Sequence, residues 1–318
     1  MIDYSVFYRR SINPERMERE VSRHDYFISA YNSSERVRNV YNRVLADKKI
    51  WVIHPEYRYS PIEYPPGDIV VAPEQSSEIE QANLVIEQLD LDTGCSICID
   101  ITGFMRHVLI FLIGKLHYLG VRSLSVIYSE PKYYIKQEDT AFSTETSGLP
   151  RPVYGMSGSN QSLPQSKDFL VVGVGYDHKL ISEVVEHKDN AIVYPLFSFP
   201  SLSPDMYQQS AIRSADSGPA SLGNSWVVNR LFAPANDPFA IAEVVSELVH
   251  NIDRQAGGAN IYLSPLSTKV QAVGFTLYWI LEGRHRDSVT VLLPECITYT
   301  RETSRGLKRL WLYSLELF

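Results

Sequence analysis

Ser96–Tyr128 reads SICIDITGFMRHVLIFLIGKLHYLGVRSLSVIY, and Asn260–Leu293 reads NIYLSPLSTKVQAVGFTLYWILEGRHRDSVTVLL. Each stretch opens on a short β-rich run and passes through a small-polar turn with one basic residue, Arg106 or Lys269. Each then continues into a long apolar helix and reaches a glycine before a second β-rich run. A strand, a helix-length crossover and another strand make a βαβ unit, and such units build parallel sheets. The recurrence of one pattern predicts two copies of a Rossmann-like module.

Working outward, the first copy continues upstream as strands Tyr26–Ala30, Ile50–His54 and Asp68–Ala72 with helices Ser34–Ala46 and Ser77–Leu89. The second repeats the order with strands Phe169–Val174, Ala191–Leu196 and Trp226–Phe232. Helices follow at His178–His187 and Pro238–Arg254, with a short Pro-bounded one near Asp205–Arg213. The predicted fold class is therefore α/β, two tandem Rossmann-like units with mostly parallel sheets related by a pseudo-two-fold. The expected divisions are an N-terminal segment over 1–25, the first unit over 26–130, and a linker or mobile loop over 131–167. The second unit, with a C-terminal strand in LKRLWLYSLELF, spans 168–318. Charge makes Asn13–His24 a candidate helix.

At 318 residues the chain has room for two modest domains. Hydrophobic residues at 44% and charged residues at 21% fill real cores without the charge of a disordered chain. Thirty basic against thirty-seven acidic side chains, net charge -7, argue against coating a long polyanion, so an anionic ligand must meet a local patch. The longest plain apolar run, Val108–Ile113, is far short of a bilayer span, so no membrane is expected. MIDYSVFYRR lacks the form of a secretory signal, and three cysteines fit a reducing compartment; a cytoplasmic location is the expectation.

In open parallel sheets ligands bind beyond the carboxyl ends of the strands, which ranks the candidates. The strongest are the turns Asp100–Arg106 and Ser264–Lys269. Their free backbone N–H groups, Gly103, and the hydroxyls of Thr102, Ser267 and Thr268 are suited to a phosphate, with Arg106 and Lys269 as counter-charges. The competing assignment makes the hydroxyls helix caps and leaves the basic residues solvated. Asp100 ends a run suited to a buried strand and so needs a partner, Arg106 being one; it anchors the loop or contacts a ribose more readily than a metal. Asn32, His54, Tyr176 and His178 follow other strands and form a second tier. Gly173-Val174-Gly175 lacks the complete dinucleotide fingerprint, so no cofactor is expected. Loop tyrosines such as Tyr57, Tyr59 and Tyr154 either stack bases or seal their loops. Cys95 and Cys98 have C-x-x-C spacing, but the pair sits at the start of and inside a strand, so Cys98 is a core residue, and no metal site is expected. Gly155-Met156-Ser157-Gly158 does not form a nucleophile elbow.

The twin turns ITGFMR and SPLSTK, each opening a long helix in tandem Rossmann-like units, resemble the CARF fold of prokaryotic immunity, and two units in one chain are similar to the SAVED arrangement. The resemblance covers roughly 26–293. It implies a cyclic oligonucleotide bound in a cleft between the units, and a nucleotide-sensing role in antiviral defence. With no recognisable effector region here, a separate partner protein is expected to carry the response, and a homo-oligomer stays open. Thr102, Arg106, Ser267, Thr268 and Lys269 would face the phosphates, and strand-end Tyr and His side chains the bases. Two rivals stand beside this. One is an enzyme acting on a nucleotide or phosphorylated small molecule, with Asp100, His54 or His178 as acid or base. The other is a non-catalytic scaffold subunit.

Overall fold

A computed structural model describes residues 1–91, 94–134, 143–158, 167–202, 208, 228–256 and 258–318. In chain order the strands are β1 (Arg9–Ile12), β2 (His24–Ala30), β3 (Ala46–Val52), β4 (Ile69–Val71), β5 (Ile97–Asp100), β6 (Ser123–Tyr134), β7 (Ser143–Pro152), β8 (Lys167–Val174), β9 (Ile192–Ser198), β10 (Leu231–Ala233), β11 (Ala259–Ser264), β12 (Val289–Tyr299) and β13 (Ser304–Glu316). The described helices are α1 (Met17–Glu20), α2 (Glu35–Arg43), α3 (Glu78–Ile86), α4 (Arg106–Tyr118), α5 (His178–His187), α6 (Pro238–Ala256) and α7 (Lys269–Leu281). They group into two compact units. The first is Phe7–Glu145 with Cys296–Phe318, and the second is Thr146–Glu295 with Met1–Val6.

The sheet of the first unit runs β1-β13-β6-β5-β2-β3-β4, and that of the second β10-β9-β8-β11-β12-β7. Within the first, β4, β3, β2, β5 and β6 are parallel neighbours. Within the second, β10, β9, β8, β11 and β12 are parallel neighbours in the same way. Numbered along the chain, both sets follow the order 3-2-1-4-5 of a Rossmann sheet, in which the chain reverses direction between strands 1 and 4. The chain is thus α/β with two mostly parallel sheets, as its sequence predicts.

Strand β5 is buried along its length because ICID must be covered on both faces, and Cys98 lies in the core with Phe27, Val37, Val40, Trp51 and Leu310. Each such apolar side chain contributes roughly 1.5–3 kcal/mol on burial. Helix α4 stops at Gly120, whose φ of 95° lets its N–H reach the His117 carbonyl while the Val121 N–H reaches that of Leu116. The matching Gly283 does not repeat this. It opens a 3-10 turn, Gly283–Arg286, and Asp287 takes the left-handed backbone at φ 52°.

Two organisational expectations change. The last strand does not belong to the second unit: β13 lies in the first sheet, antiparallel to β6 on one side and to β1 on the other. Alternation marked it as a strand, but alternation carries no information about which sheet receives it. In the first sheet β13 is an interior strand, with Arg9–Ile12 of the N-terminal segment paired to its outer side. The 131–167 stretch is not wholly a loop. β6 extends to Tyr134 and β7 occupies Ser143–Pro152, while 135–142 and 159–166 lie outside the described residues. All but residue 208 of the helix expected near Asp205–Arg213, and the start of the Trp226–Phe232 strand, also lie outside them.

Candidate functional site

In the first unit the reversal of strand order falls between β2 and β5, so the turns after Ala30 and after Asp100 meet there. They meet closely: a Cβ on Gly103 would fall 2.0 Å from the Ala30 carbonyl oxygen and 3.4 Å from Asn32 Nδ2. Only glycine permits that approach. Asn32 Oδ1 accepts from the Ser34 N–H at 3.0 Å, and the Tyr57 hydroxyl donates to the Gly103 carbonyl at 2.9 Å.

Asp100 is completely buried. Its Oδ1 accepts from the Thr102 N–H at 3.0 Å and its Oδ2 from Ser29 Oγ at 3.2 Å. Burial pushes the carboxyl above its ordinary range, while the hydrogen bonds from Thr102 and Ser29 and the field of Arg36 pull the other way. The cation whose field acts on that carboxyl is Arg36. Asp100 anchors the turn. Thr102 is likewise committed internally, donating through Oγ1 to Ser129 Oγ at 3.1 Å and accepting the Ser129 N–H at 3.0 Å.

Arg106 is the first residue of α4 and only 9% exposed. Met105 sits at the N-cap with no side-chain acceptor to offer, and among the described residues no protein group accepts from the N–H of His107 or Val108. Arg36, in the first turn of α2, is also buried and donates to the Ser129 carbonyl. The two helices that flank the reversal point each bring a buried guanidinium to the carboxyl end of the sheet.

No family model matches the chain, and no curated protein is similar to it.

In the second unit the reversal falls between β8 and β11. Lys269 opens α7 just as Arg106 opens α4, and it too is 9% exposed. The surroundings differ. Thr268 is a working N-cap, its Oγ1 accepting from the Gln271 N–H at 3.1 Å and donating to the Ala235 carbonyl at 3.3 Å. Gln271 lies across Gly173, where a Cβ would come 1.7 Å from its Oε1, and that oxygen accepts from the Ser267 N–H at 3.2 Å. Ser267 Oγ meets Ser198 Oγ at 3.3 Å. Ser267 and Thr268, two of the residues expected to hold a phosphate here, are engaged with the protein's own backbone and side-chain groups. Tyr176 is buried after β8 and His178 is exposed at the start of α5.

His54 is fully buried after β3. Tyr57 and Tyr59 seal their loop onto the first unit: the Tyr59 hydroxyl meets Ser33 Oγ at 2.8 Å, and Arg301 packs 4.1 Å over the Tyr59 ring while donating to the Tyr57 carbonyl at 2.7 Å. Tyr154, by contrast, is exposed. Among the described residues no cluster of His, Cys, Asp or Glu has a metal-binding arrangement. No helix of the described residues is long and apolar enough to cross a membrane.

The sequence reading did not single out Arg36, Glu56, Gln81, His107 or Ser129. His107 directly follows Arg106, and Glu56 stands two residues after His54 in a strand-end loop; polar residues in such loops and first turns were the available signal.

Proposed function

We propose that this chain binds a nucleotide through its phosphate at the N-terminus of α4 and acts as a nucleotide sensor that passes the signal to a partner protein. The observation that carries the reading is the buried Arg106 at the first position of a helix whose His107 and Val108 N–H groups have no protein acceptor among the described residues. A helix N-terminus is already positive, and a buried guanidinium at its first position adds to that field. A phosphate suits both, meeting the charge of Arg106 and accepting hydrogen bonds from the helix N–H groups. Lys269 at the same position of the second unit supports the reading more weakly, because Thr268 and Gln271 already cap α7. The resemblance to CARF and SAVED domains favours a cyclic oligonucleotide and a place in prokaryotic defence.

The test is a panel of linear and cyclic nucleotides added to the purified chain. A raised unfolding temperature with the ligand recovered intact is expected for a sensor. Arg106→Ala should lower affinity at least tenfold, and unchanged affinity removes Arg106 from the site. No shift with any nucleotide rejects the reading.

A further inference from the structure

The amino ends of β2, β5 and β6 enclose a cleft of about 680 Å³, a size that suits a small molecule. Its walls come from residues 22–24, 94–97 and 119–123 of the first unit. This is the end of the sheet away from Arg106. Helix α4 begins at Arg106 and its far end runs into Leu119 and Gly120 of the cleft, so its 13 residues, about 20 Å, lie between the two.

Cys95 stands in that wall, half-buried and carrying a thiol rather than a disulfide. Strands β2 and β5 pair with Tyr26 opposite Ile97. One step earlier the Asp25 N–H donates to Ser96 Oγ at 2.9 Å and the Ser96 N–H to Asp25 Oδ2 at 2.7 Å, which holds the register. A further step back sets Cys95 opposite His24. His24 also lines the cleft and is 7% exposed, and its Nδ1 is buried with no hydrogen-bond partner among the described residues. A buried polar atom left unmade beside a cavity marks a wall that a polar guest can complete. Burial pushes the His24 imidazole below the ordinary histidine range, against the Ser22 backbone and the charge of Asp25, so positive charge at the cleft comes from Arg23 and Arg122 instead. Both are exposed. Arg23 Nε donates to Asp47 Oδ1 at 2.8 Å, whereas Arg122 donates to a neutral group, the His117 carbonyl, at 3.3 Å. A partly exposed thiol among guanidinium groups is the setting in which cysteines react.

The second cysteine of the C-x-x-C run does not share this setting. Cys98 is completely buried among Phe27, Val37 and Val40, and burial with the charge of Asp100 pushes its thiol well up. Positions three apart in an extended chain also face opposite sides, so Cys98 cannot resolve an adduct on Cys95. We propose that Cys95 is a modification site that exchanges with a small anionic disulfide of the glutathione class entering the cleft. Cys95 Sγ gives its proton to solvent and bonds to one sulfur of the disulfide as the S–S bond breaks, and the departing thiolate takes a proton from solvent. One disulfide is consumed as another forms, and no other oxidant is needed. Arg122 and Arg23 meet the carboxylates of the incoming molecule. The site is independent of the phosphate reading at the other end of α4.

The full chain, folded and reduced, is incubated with oxidised glutathione and its peptides are mapped by mass spectrometry. A glutathione adduct is expected at Cys95, forming roughly tenfold faster than at Cys296, with none at Cys98 and full release by a dithiol reductant. Cystamine, a dicationic disulfide, should react at Cys95 about fivefold more slowly than oxidised glutathione, each rate taken relative to that of mercaptoethanol, and Arg122→Gln should narrow the difference. The mapping reads wild-type protein, so it holds even where Arg122→Gln fails to fold. Absence of an adduct at Cys95, labelling of Cys296 at an equal or higher rate, or cystamine reacting as fast as oxidised glutathione overturns the proposal. The nucleotide panel bears on the α4 reading alone, so either can fail without the other.

Discussion

Gly103 and Asp100 are the residues on which the first unit's turn geometry depends most directly, and both make sharp claims about stability. A methyl group on Gly103 would sit 2.0 Å from a backbone oxygen, which cannot swing aside as a side-chain end can. Gly103→Ala should therefore cost about 2–3 kcal/mol, read as a lowered urea midpoint for the first unit. Asp100 and Glu56 tilt stability with pH in opposite senses. The Asp100 carboxyl is raised above 3.8, so its favourable contribution is complete below that value and is lost as pH climbs through the folded-state pKa. The Glu56 carboxyl is lowered below 4.5, so its contribution is complete above that value and is lost as pH falls through the folded-state pKa. Relative to wild type, Asp100→Asn should gain stability toward pH 7 and Glu56→Gln should lose it, each on the order of 1 kcal/mol by urea unfolding at pH 4 and pH 7. Parallel pH dependences for the two variants contradict these assignments.

At the scale of elements, α4 and α7 read alike in sequence yet begin differently. Both follow the fourth parallel strand and both open on a buried cation, but Thr268 caps α7 and Met105 offers α4 nothing. Thr268→Ala should destabilise the second unit by about 1 kcal/mol, seen as a lower thermal midpoint, since it frees the Gln271 N–H. It should leave nucleotide affinity almost unchanged if α4 is the phosphate site. The parallel strands, the helices that join them and the matched positions of Arg106 and Lys269 were legible in sequence because period, turn residues and strand-end position are local properties; β1 and β7 were not. The Glu56–His107 contact was not, because it joins a loop after β3 to the first turn of α4, and no periodicity reports which side chains of separate crossovers converge. The self-capping of α7 was equally hidden: Gln271 reads as one polar residue in an apolar helix until it is seen lying across Gly173.

At the scale of the molecule, the chain of the first unit is interrupted by that of the second. Residues 7–145 build five parallel strands, the chain then forms most of the second unit, and only 296–318 return to complete the first sheet. That return matters because β13 is an interior strand, hydrogen-bonded to β6 and β1 on its two sides, and its Leu310, Tyr313 and Leu315 are buried. Without β13, β1 loses its only strand partner among the described residues, and the outer side of β6 exposes unpaired N–H and C=O groups. The second sheet has no such dependence, since all of its strands lie within 143–299. A chain ended after Glu302 should therefore lose amide-exchange protection in β1 and β6 first, while β8, β9 and β11 keep theirs. Hydrogen exchange followed by mass spectrometry reads both sets in one experiment, and equal loss in the two sheets would mean that the units do not hold their stability separately.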